Sequence, residues 1–153
     1  MEYLKYWKVV KMWMRITHDL TEAELDLLLF LHGEKYFCRR DYEQYNDLFT
    51  WDKRRFDKLV KKGWIERMHR GGKYNKSMHC ITDKTRLVFN RMYRVLSMKE
   101  LIPETRHNNP AFKSDARFID KMQQKNIIKM NEEIRELKRR RARESQEKNP
   151  DQA

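Results

Sequence analysis

The sequence predicts a mainly α-helical domain that carries one small β-hairpin, on three observations. Apolar residues recur at i, i+3, i+4 spacing in several separate stretches. Only four Gly and three Pro occur in 153 residues, too few for the tight turns of an all-β sandwich. The stretch with most strand character, residues 64–82, is broken by the turn pair Gly71-Gly72. A chain of this length holds one domain with a core plus some extension, and its 12% aromatic content argues against disorder.

The formal net charge of +12 is unevenly placed. Residues 1–49 carry 7 basic and 9 acidic side chains, residues 50–96 carry 14 and 4, and residues 97–153 carry 14 and 10. The middle segment therefore holds most of the excess. A localised field of that sign attracts a polyanion by counterion release and steers its approach.

No stretch reaches the roughly 18 uncharged apolar residues that a membrane span needs. The opening MEYLKYWKVVKMWMRI is apolar but studded with Lys5, Lys8, Lys11 and Arg15. No small-residue cleavage site follows it, so no signal peptide is expected. Cys38 and Cys80 belong to no CxxC pair, and free thiols are expected. These features together predict a cytoplasmic protein without a membrane partner, in the host cytoplasm if it is viral.

Taken in order, residues 3–16 place Tyr3, Tyr6, Trp7, Val10, Trp13 and Met14 at helical spacing. Leu4, Val9, Met12 and Ile16 widen the stripe, which predicts packing beyond the helix's own domain, a second subunit being one route. The second helix starts sharply. Thr21 and Glu24 have the spacing of a capping box, and Leu20 and Leu25 that of a hydrophobic staple. Leu25, Leu28, Leu29 and Leu31 are assigned to the core, and Gly33 is expected to end the helix in the left-handed C′ conformation.

Tyr42, Tyr45 and Phe49 predict a short third helix, and a break at residues 49–51 leads into a fourth. Thr50 or Asp52 can cap this fourth helix. Phe56, Leu59 and Val60 face inward, Lys53, Arg54, Arg55, Asp57, Lys58, Lys61 and Lys62 face outward, and Gly63 stops it. Cations in the first turns oppose the helix dipole by roughly a few tenths of a kcal/mol each. A helix that presents its N-terminal turns to DNA would show that cost; the alternative is a solvated face.

Residues 64–68 and 77–82 read as strands, with Arg70, Lys73 and Lys76 projecting from their connecting loop. Basic groups on such a hairpin reach phosphates or the minor groove, and Tyr74 among them stacks or merely packs. A long helix follows from Asp83 to about Met98. The fold expected is a winged helix-turn-helix over residues 1–98, with the N-terminal helix at 1–16, the helix-turn-helix at 39–63 and the wing at 64–82. Pro103 and Pro110 mark a polar linker at 99–113 that breaks helicity. An amphipathic helix is expected at 114–143, capped by Ser114 or Asp115, with Ile119 and Met122 as an apolar pair. Ile127, Met130, Ile134 and Leu137 then repeat for about one and a half heptads, enough to pack on a partner. A basic run passes into a flexible tail at 144–153.

In this order of elements the chain resembles the MarR-type winged-helix transcription regulators. The resemblance rests on Leu20-Thr21, on Lys58-Leu59-Val60-Lys61-Lys62-Gly63-Trp64-Ile65, and on Ile81-Thr82-Asp83-Lys84, and it spans roughly residues 5–98. It implies a homodimer joined through terminal helices, each recognition helix in a major groove, and control of transcription by promoter occupancy. The loop reads Arg70-Gly71-Gly72-Lys73 where that family's wing typically holds an Asp-x-Arg pair, and the segment beyond residue 98 is not typical of it.

The function expected is therefore a sequence-specific regulator of transcription that binds double-stranded DNA. Arg54, Arg55 and Lys58 are the candidates for base edges, because Arg and Lys match the guanine O6 and N7 acceptors. Lys53, Lys61, Lys62, Arg70, Lys73 and Lys76 are the candidates for phosphates. Tyr3, Trp7, Val10 and Trp13, with Ile127, Met130, Ile134 and Leu137, are the candidate dimer contacts. The sequence names no effector molecule. Five histidines and two cysteines show no HExxH, CxxC or His-x₃₋₅-His spacing, and the phosphate-loop and nucleophile-elbow motifs do not occur. No metal, cofactor or enzymatic activity is expected. The second reading is a viral or phage structural or DNA-packaging protein using a winged helix for protein contacts or non-specific nucleic-acid binding, which suits the Lys-, Asn- and Met-rich, charge-dense composition.

Overall fold

The computed structural model describes residues 4–38, 40, 41, 43, 53–69 and 77–148. Tyr3, the caps Thr50 and Asp52, the break at 49–51, the loop with Arg70, Gly71, Gly72, Lys73, Tyr74 and Lys76, and the last five residues lie outside these. So does the side chain of Lys53. Among the described residues the chain is mainly helical with one small three-stranded antiparallel sheet. It divides into two compact units, residues 20–90 and residues 1–19 with 91–153.

The 20–90 unit begins with α2 (Glu22–His32), the second helix after α1 (Trp7–His18). The capping box is formed: Glu24 N–H donates to Thr21 Oγ1 at 3.2 Å and Thr21 N–H to Glu24 Oε2 at 2.9 Å. Leu25, Leu27, Leu28 and Leu31 are buried, whereas Leu29 is half-buried. Leu27 rather than Leu29 therefore completes the core stripe, since residues 24, 25, 27, 28 and 31 share one helical face. Gly33 is not left-handed; its φ of −71° and ψ of −22° are right-handed. Here the last turn tightens through i→i−3 bonds, Gly33 N–H to Phe30 O and Glu34 N–H to Leu31 O, so the carbonyls are satisfied without a left-handed residue.

A third strand joins the two expected from sequence. β1 (Phe37–Cys38) pairs antiparallel with β3 (Met78–Ile81), which also pairs with β2 (Ile65–His69), giving the order β1-β3-β2. Two residues are too short to show strand periodicity. Arg40, Asp41 and Glu43 are helical, at the start of the expected third helix, and Asp41 reaches back to accept Cys38 N–H at 2.7 Å.

The basic helix is α3 (Lys53–Lys61). It ends in a Schellman motif: Trp64 N–H donates to Leu59 O at 2.9 Å and Gly63 N–H to Val60 O at 3.1 Å, with Gly63 at φ +73°. The corner after it is pinned by two threonines. Thr82 donates its hydroxyl to Gly63 O at 2.9 Å, and buried Thr85 donates to Trp64 O at 2.7 Å. Strand β2 therefore leaves α3 at a fixed angle. From Thr82 the chain enters α4 (Asp83–Leu96). In β2–β3 the register runs Ile65↔Ile81, Glu66↔Cys80 and Arg67↔His79, then shifts to His69↔Met78, leaving Met68 as the extra residue of a bulge.

In the other unit, α1 packs on α5 (Phe118–Lys148) and on a short 3₁₀ turn at Pro110–Phe112. The expected linker does break helicity, but it is not a free connector. Ile102, Asn109 and Ala111 within it are buried. Asn131 of α5 accepts Ile102 N–H at 2.9 Å and donates to Ile102 O at 2.7 Å, pairing a non-helical strand of backbone as a sheet neighbour would. α5 starts at Phe118 rather than near residue 114. Asp120 in its first turn reaches back to the residue before it, its Oδ2 accepting Arg117 N–H at 3.1 Å, while Ser114 and Asp115 are exposed ahead of it. The helix also continues to Lys148, five residues past the expected end.

Candidate nucleic-acid interface

Phe56 and Leu59 are buried and hold α3 on its unit, and Val60 is half-buried. This leaves Arg54, Asp57, Lys58 and Lys61 exposed, with Arg55 and Lys62 half-buried. Arg54, Lys58 and Lys61 follow i, i+4, i+7 spacing and so share one side of the helix. Of the outward face expected from the sequence, Arg54, Asp57, Lys58 and Lys61 are exposed and Arg55 and Lys62 only partly so.

Two of its cations have a further role that the sequence did not suggest. Lys58 Nζ lies 2.8 Å from Glu24 Oε1, and Lys62 Nζ lies 3.9 Å from Glu24 Oε2. Glu24 is the capping-box carboxylate of α2, and its side chain is 1% exposed. Burial by itself raises its pKa. The hydrogen bonds from Lys58 and the Thr21 amide, with the Lys62 charge, outweigh that and hold it below the ordinary carboxylate value. One carboxylate thus caps α2 and clamps α3 to it. Lys58, expected among the base readers, and Lys62, expected on phosphate, both spend charge on this contact.

The sheet brings up cations that were not singled out in the sequence. Arg67 on β2 is exposed, and with Arg40 it lines a cleft of about 350 Å³ beside Phe56, Asp57 and His79. Lone basic residues on a short strand and after a two-residue strand carry no periodic signal, so only the fold could place them together. His79 forms the floor. Its ring stacks on Phe37 at 6.4 Å between centroids and meets Phe56 edge-on at 5.1 Å. Burial, followed by the nearby Arg67 charge, lowers its pKa.

His79 and Cys80 alternate across β3, yet both are buried, since both faces of that strand are covered. Both cysteines are free thiols. The Cys80 thiol donates to Glu66 Oε1 at 3.4 Å, and burial with that carboxylate raises its pKa, which disfavours a reactive thiolate. Among the described residues no group of three His, Cys, Asp or Glu side chains is arranged to hold a metal. Nor is any helix of them long and apolar enough to cross a membrane.

The dimer stripes require a correction as free surfaces. Val10 and Trp13 on α1 and Ile127, Met130 and Ile134 on α5 are all buried within a single chain. Two amphipathic helices that each needed cover have found it in one another, with Trp7 and Leu137 half-buried. Ile119 and Met122, the expected apolar pair, stand exposed on the first turns of α5 together with Phe118.

Comparison with protein families, curated proteins and solved structures finds no match for this chain.

Proposed function

We propose that this protein binds double-stranded DNA through α3 and the β2–β3 hairpin and acts as a sequence-specific regulator of transcription, on the general MarR pattern. The observation that carries this reading is the basic face of α3: Phe56 and Leu59 are buried, Arg54, Lys58 and Lys61 are exposed, and a buried carboxylate and a Schellman corner tie the helix down. Arg54 and Arg55 read base edges, because a guanidinium matches guanine O6 and N7 in a bidentate way. Lys53 and Lys61 of α3, with Arg70, Lys73 and Lys76 of the segment that joins β2 to β3, neutralise phosphates. Lys58 and Lys62 orient the helix through Glu24 and contribute residual charge. Two free buried thiols suit the reducing cytoplasm in which such a protein would work.

The test is selection of bound sequences from a random DNA pool, followed by titration at physiological salt. A regulator prefers its site by roughly 10³ or more over random DNA, and Arg54→Ala/Arg55→Ala abolishes that preference. A double variant that discriminates as well as the unaltered protein removes the assignment.

One observation favours a second reading, a viral or phage structural or packaging protein that binds DNA without sequence preference. Five of the residues expected to join two copies, Val10, Trp13, Ile127, Met130 and Ile134, are buried within one chain, and reading a two-fold operator requires two copies. A preference near unity in the same titration would select this reading.

A further inference from the structure

We infer that the C-terminal third of α5 is a second nucleic-acid contact, which grips the phosphate backbone of duplex DNA irrespective of sequence. Among the described side chains of α5 the last buried one is Ile134. Two ion pairs root the helix where it leaves the core: Lys5 to Glu133 at 2.8 Å and Arg135 to Glu104 at 2.7 Å. From Lys138 to Gln146 every residue is exposed. The helix nevertheless continues to Lys148, so no packing within its unit supports this stretch. Isolated helical segments of this length are marginal in water.

Its cations outnumber the acidic neighbours that could offset them, Glu136 at i−3 and i−4 of Arg139 and Arg140 and Glu144 at i+3 and i+4 of Arg141 and Arg140. Lys138, Arg139, Arg140, Arg141 and Arg143 crowd five cations into six positions. Arg139 and Arg143 are i, i+4 neighbours, and Lys138–Arg141 and Arg140–Arg143 are i, i+3 neighbours, spacings at which like charges repel. A sequence that keeps this repulsion on an uncovered helix has a use for the charge.

The chemistry of the partner follows from what the segment lacks. Ala142 is the only apolar residue between Lys138 and Lys148. Without a stripe of large apolar side chains the helix cannot pack as a coiled coil. For the same reason it cannot bury a face in a bilayer interface. Charge is the recognition chemistry that remains. Spread along an axis that rises about 1.5 Å per residue, these cations approach the one charge per roughly 1.7 Å of duplex DNA. A helix about 10–12 Å across also fits a major groove about 12 Å wide. The inference does not depend on α3 being a reader of sequence, because it invokes phosphate alone.

The experiment uses the full chain, a labelled random-sequence DNA duplex and a salt series read by fluorescence anisotropy. The variant Arg139→Gln/Arg140→Gln/Arg141→Gln/Arg143→Gln should reduce the slope of log K against log salt by about 3 to 4, at about 0.9 per lost phosphate contact. Helix content and thermal midpoint should hold or rise, since the four side chains are exposed and their mutual repulsion is removed. The corresponding fourfold Arg→Lys variant should retain the slope. An unchanged slope in the Gln variant overturns the inference, as does an equal loss in the Lys variant. It is also overturned if the Gln variant loses slope on single-stranded RNA but not on duplex, or if the unaltered protein prefers phosphatidylserine vesicles to DNA. Arg54→Ala/Arg55→Ala, run in parallel, separates the two readings. Retained preference there with slope loss in the Gln variant leaves this contact standing and removes the α3 assignment; the reverse pattern removes only this contact.

Discussion

In each of the two units a buried polar side chain ties separate segments together, and Glu24 and Asn131 do so by different chemistry. In the 20–90 unit it is Glu24, a carboxylate that caps α2 and ties down α3 through Lys58 and Lys62. In the other unit it is Asn131, a neutral amide that completes the backbone pairing of Ile102 and also donates to Glu104 Oε1 at 2.7 Å. The amide satisfies its neighbours without any net charge, as suits a scaffold. The carboxylate is harder to bury, and it is kept beside a helix crowded with cations, where its charge offsets their mutual repulsion. The difference is one of coupling to charge: the Glu24 pin draws on the cations of α3, and the Asn131 pin draws chiefly on backbone groups.

The largest loss is expected at Asn131. Asn131→Leu fills a similar volume but leaves the Ile102 N–H and C=O buried without partners, each worth about 1–3 kcal/mol. Urea unfolding should show a loss of about 3 kcal/mol, independent of pH and salt. A loss below about 1 kcal/mol would mean that solvent reaches Ile102 and that the pairing is not a pin.

Glu24→Ala should cost less, about 2 kcal/mol, from the lost cap and the lost ion pair with partly exposed Lys58. Its signature differs from that of Asn131. The Glu24 pKa is depressed in the folded state, so its contribution is present above the ordinary carboxylate pKa of 4.5 and fades as pH falls through the folded value. The unaltered protein should therefore lose stability below about pH 4.5 more steeply than Glu24→Ala, as read by parallel urea titrations. Equal slopes would show that the clamp carries no charge-dependent stabilisation.

What the sequence disclosed follows from how local each signal is. The Thr21–Glu24 box, the Gly63 stop and the inward Phe56–Leu59 pair are set by residues within one or two turns, and they are where the pattern put them. The second use of Glu24 was not visible, because the Lys58 contact spans 34 positions and no spacing rule links them. β1 was too short to read, and Gly33 had a second way to end its helix. The stripes on α1 and α5 were read correctly as surfaces needing cover. Periodicity says that a face is buried but not by what, so the burial of Val10, Trp13, Ile127, Met130 and Ile134 within one chain was not legible. Of the candidate site, the exposed cations of α3 were legible, and the contribution of Arg40 and Arg67 at the cleft was not.

A finer test compares how two helices stop. α4 ends in the same Schellman pattern as α3, with Lys99 N–H on Arg94 O at 2.9 Å and Met98 N–H on Val95 O at 3.0 Å. Met98 stands where α3 has Gly63, at φ +58° against +73°. A side chain in that region costs about 1 kcal/mol or more. Gly63→Ala should therefore destabilise by about 1 kcal/mol, from backbone strain alone, because no atom lies within 4 Å of the added Cβ. Met98→Gly should stabilise by about 0.5–1 kcal/mol, which a thermal melt would detect. A destabilised Met98→Gly would mean that the methionine side chain packs by more than the strain it imposes.

The smallest effect expected is at His79, and it distinguishes the floor of the cleft from its rim. Burial first, and Arg67 second, lower the pKa of this imidazole; the Ser77 backbone and Asp57 act in the opposite direction. The group is neutral in the folded state and charges more readily in the unfolded one. Its contribution is therefore complete above the ordinary value of 6.5 and is lost as pH falls from there through the folded pKa. His79→Phe keeps the aromatic contact with Phe37 and Phe56 and removes the titration. Between pH 7 and pH 5 the unaltered protein should lose stability that His79→Phe retains, by less than about 1 kcal/mol. His32, whose pKa is also lowered by burial, titrates in the same window and persists in both proteins, so the difference between them isolates His79. Parallel pH profiles would mean that the imidazole is solvated from the cleft side, and that the cleft between α3 and the sheet is wetter at its floor than the ring stacking implies.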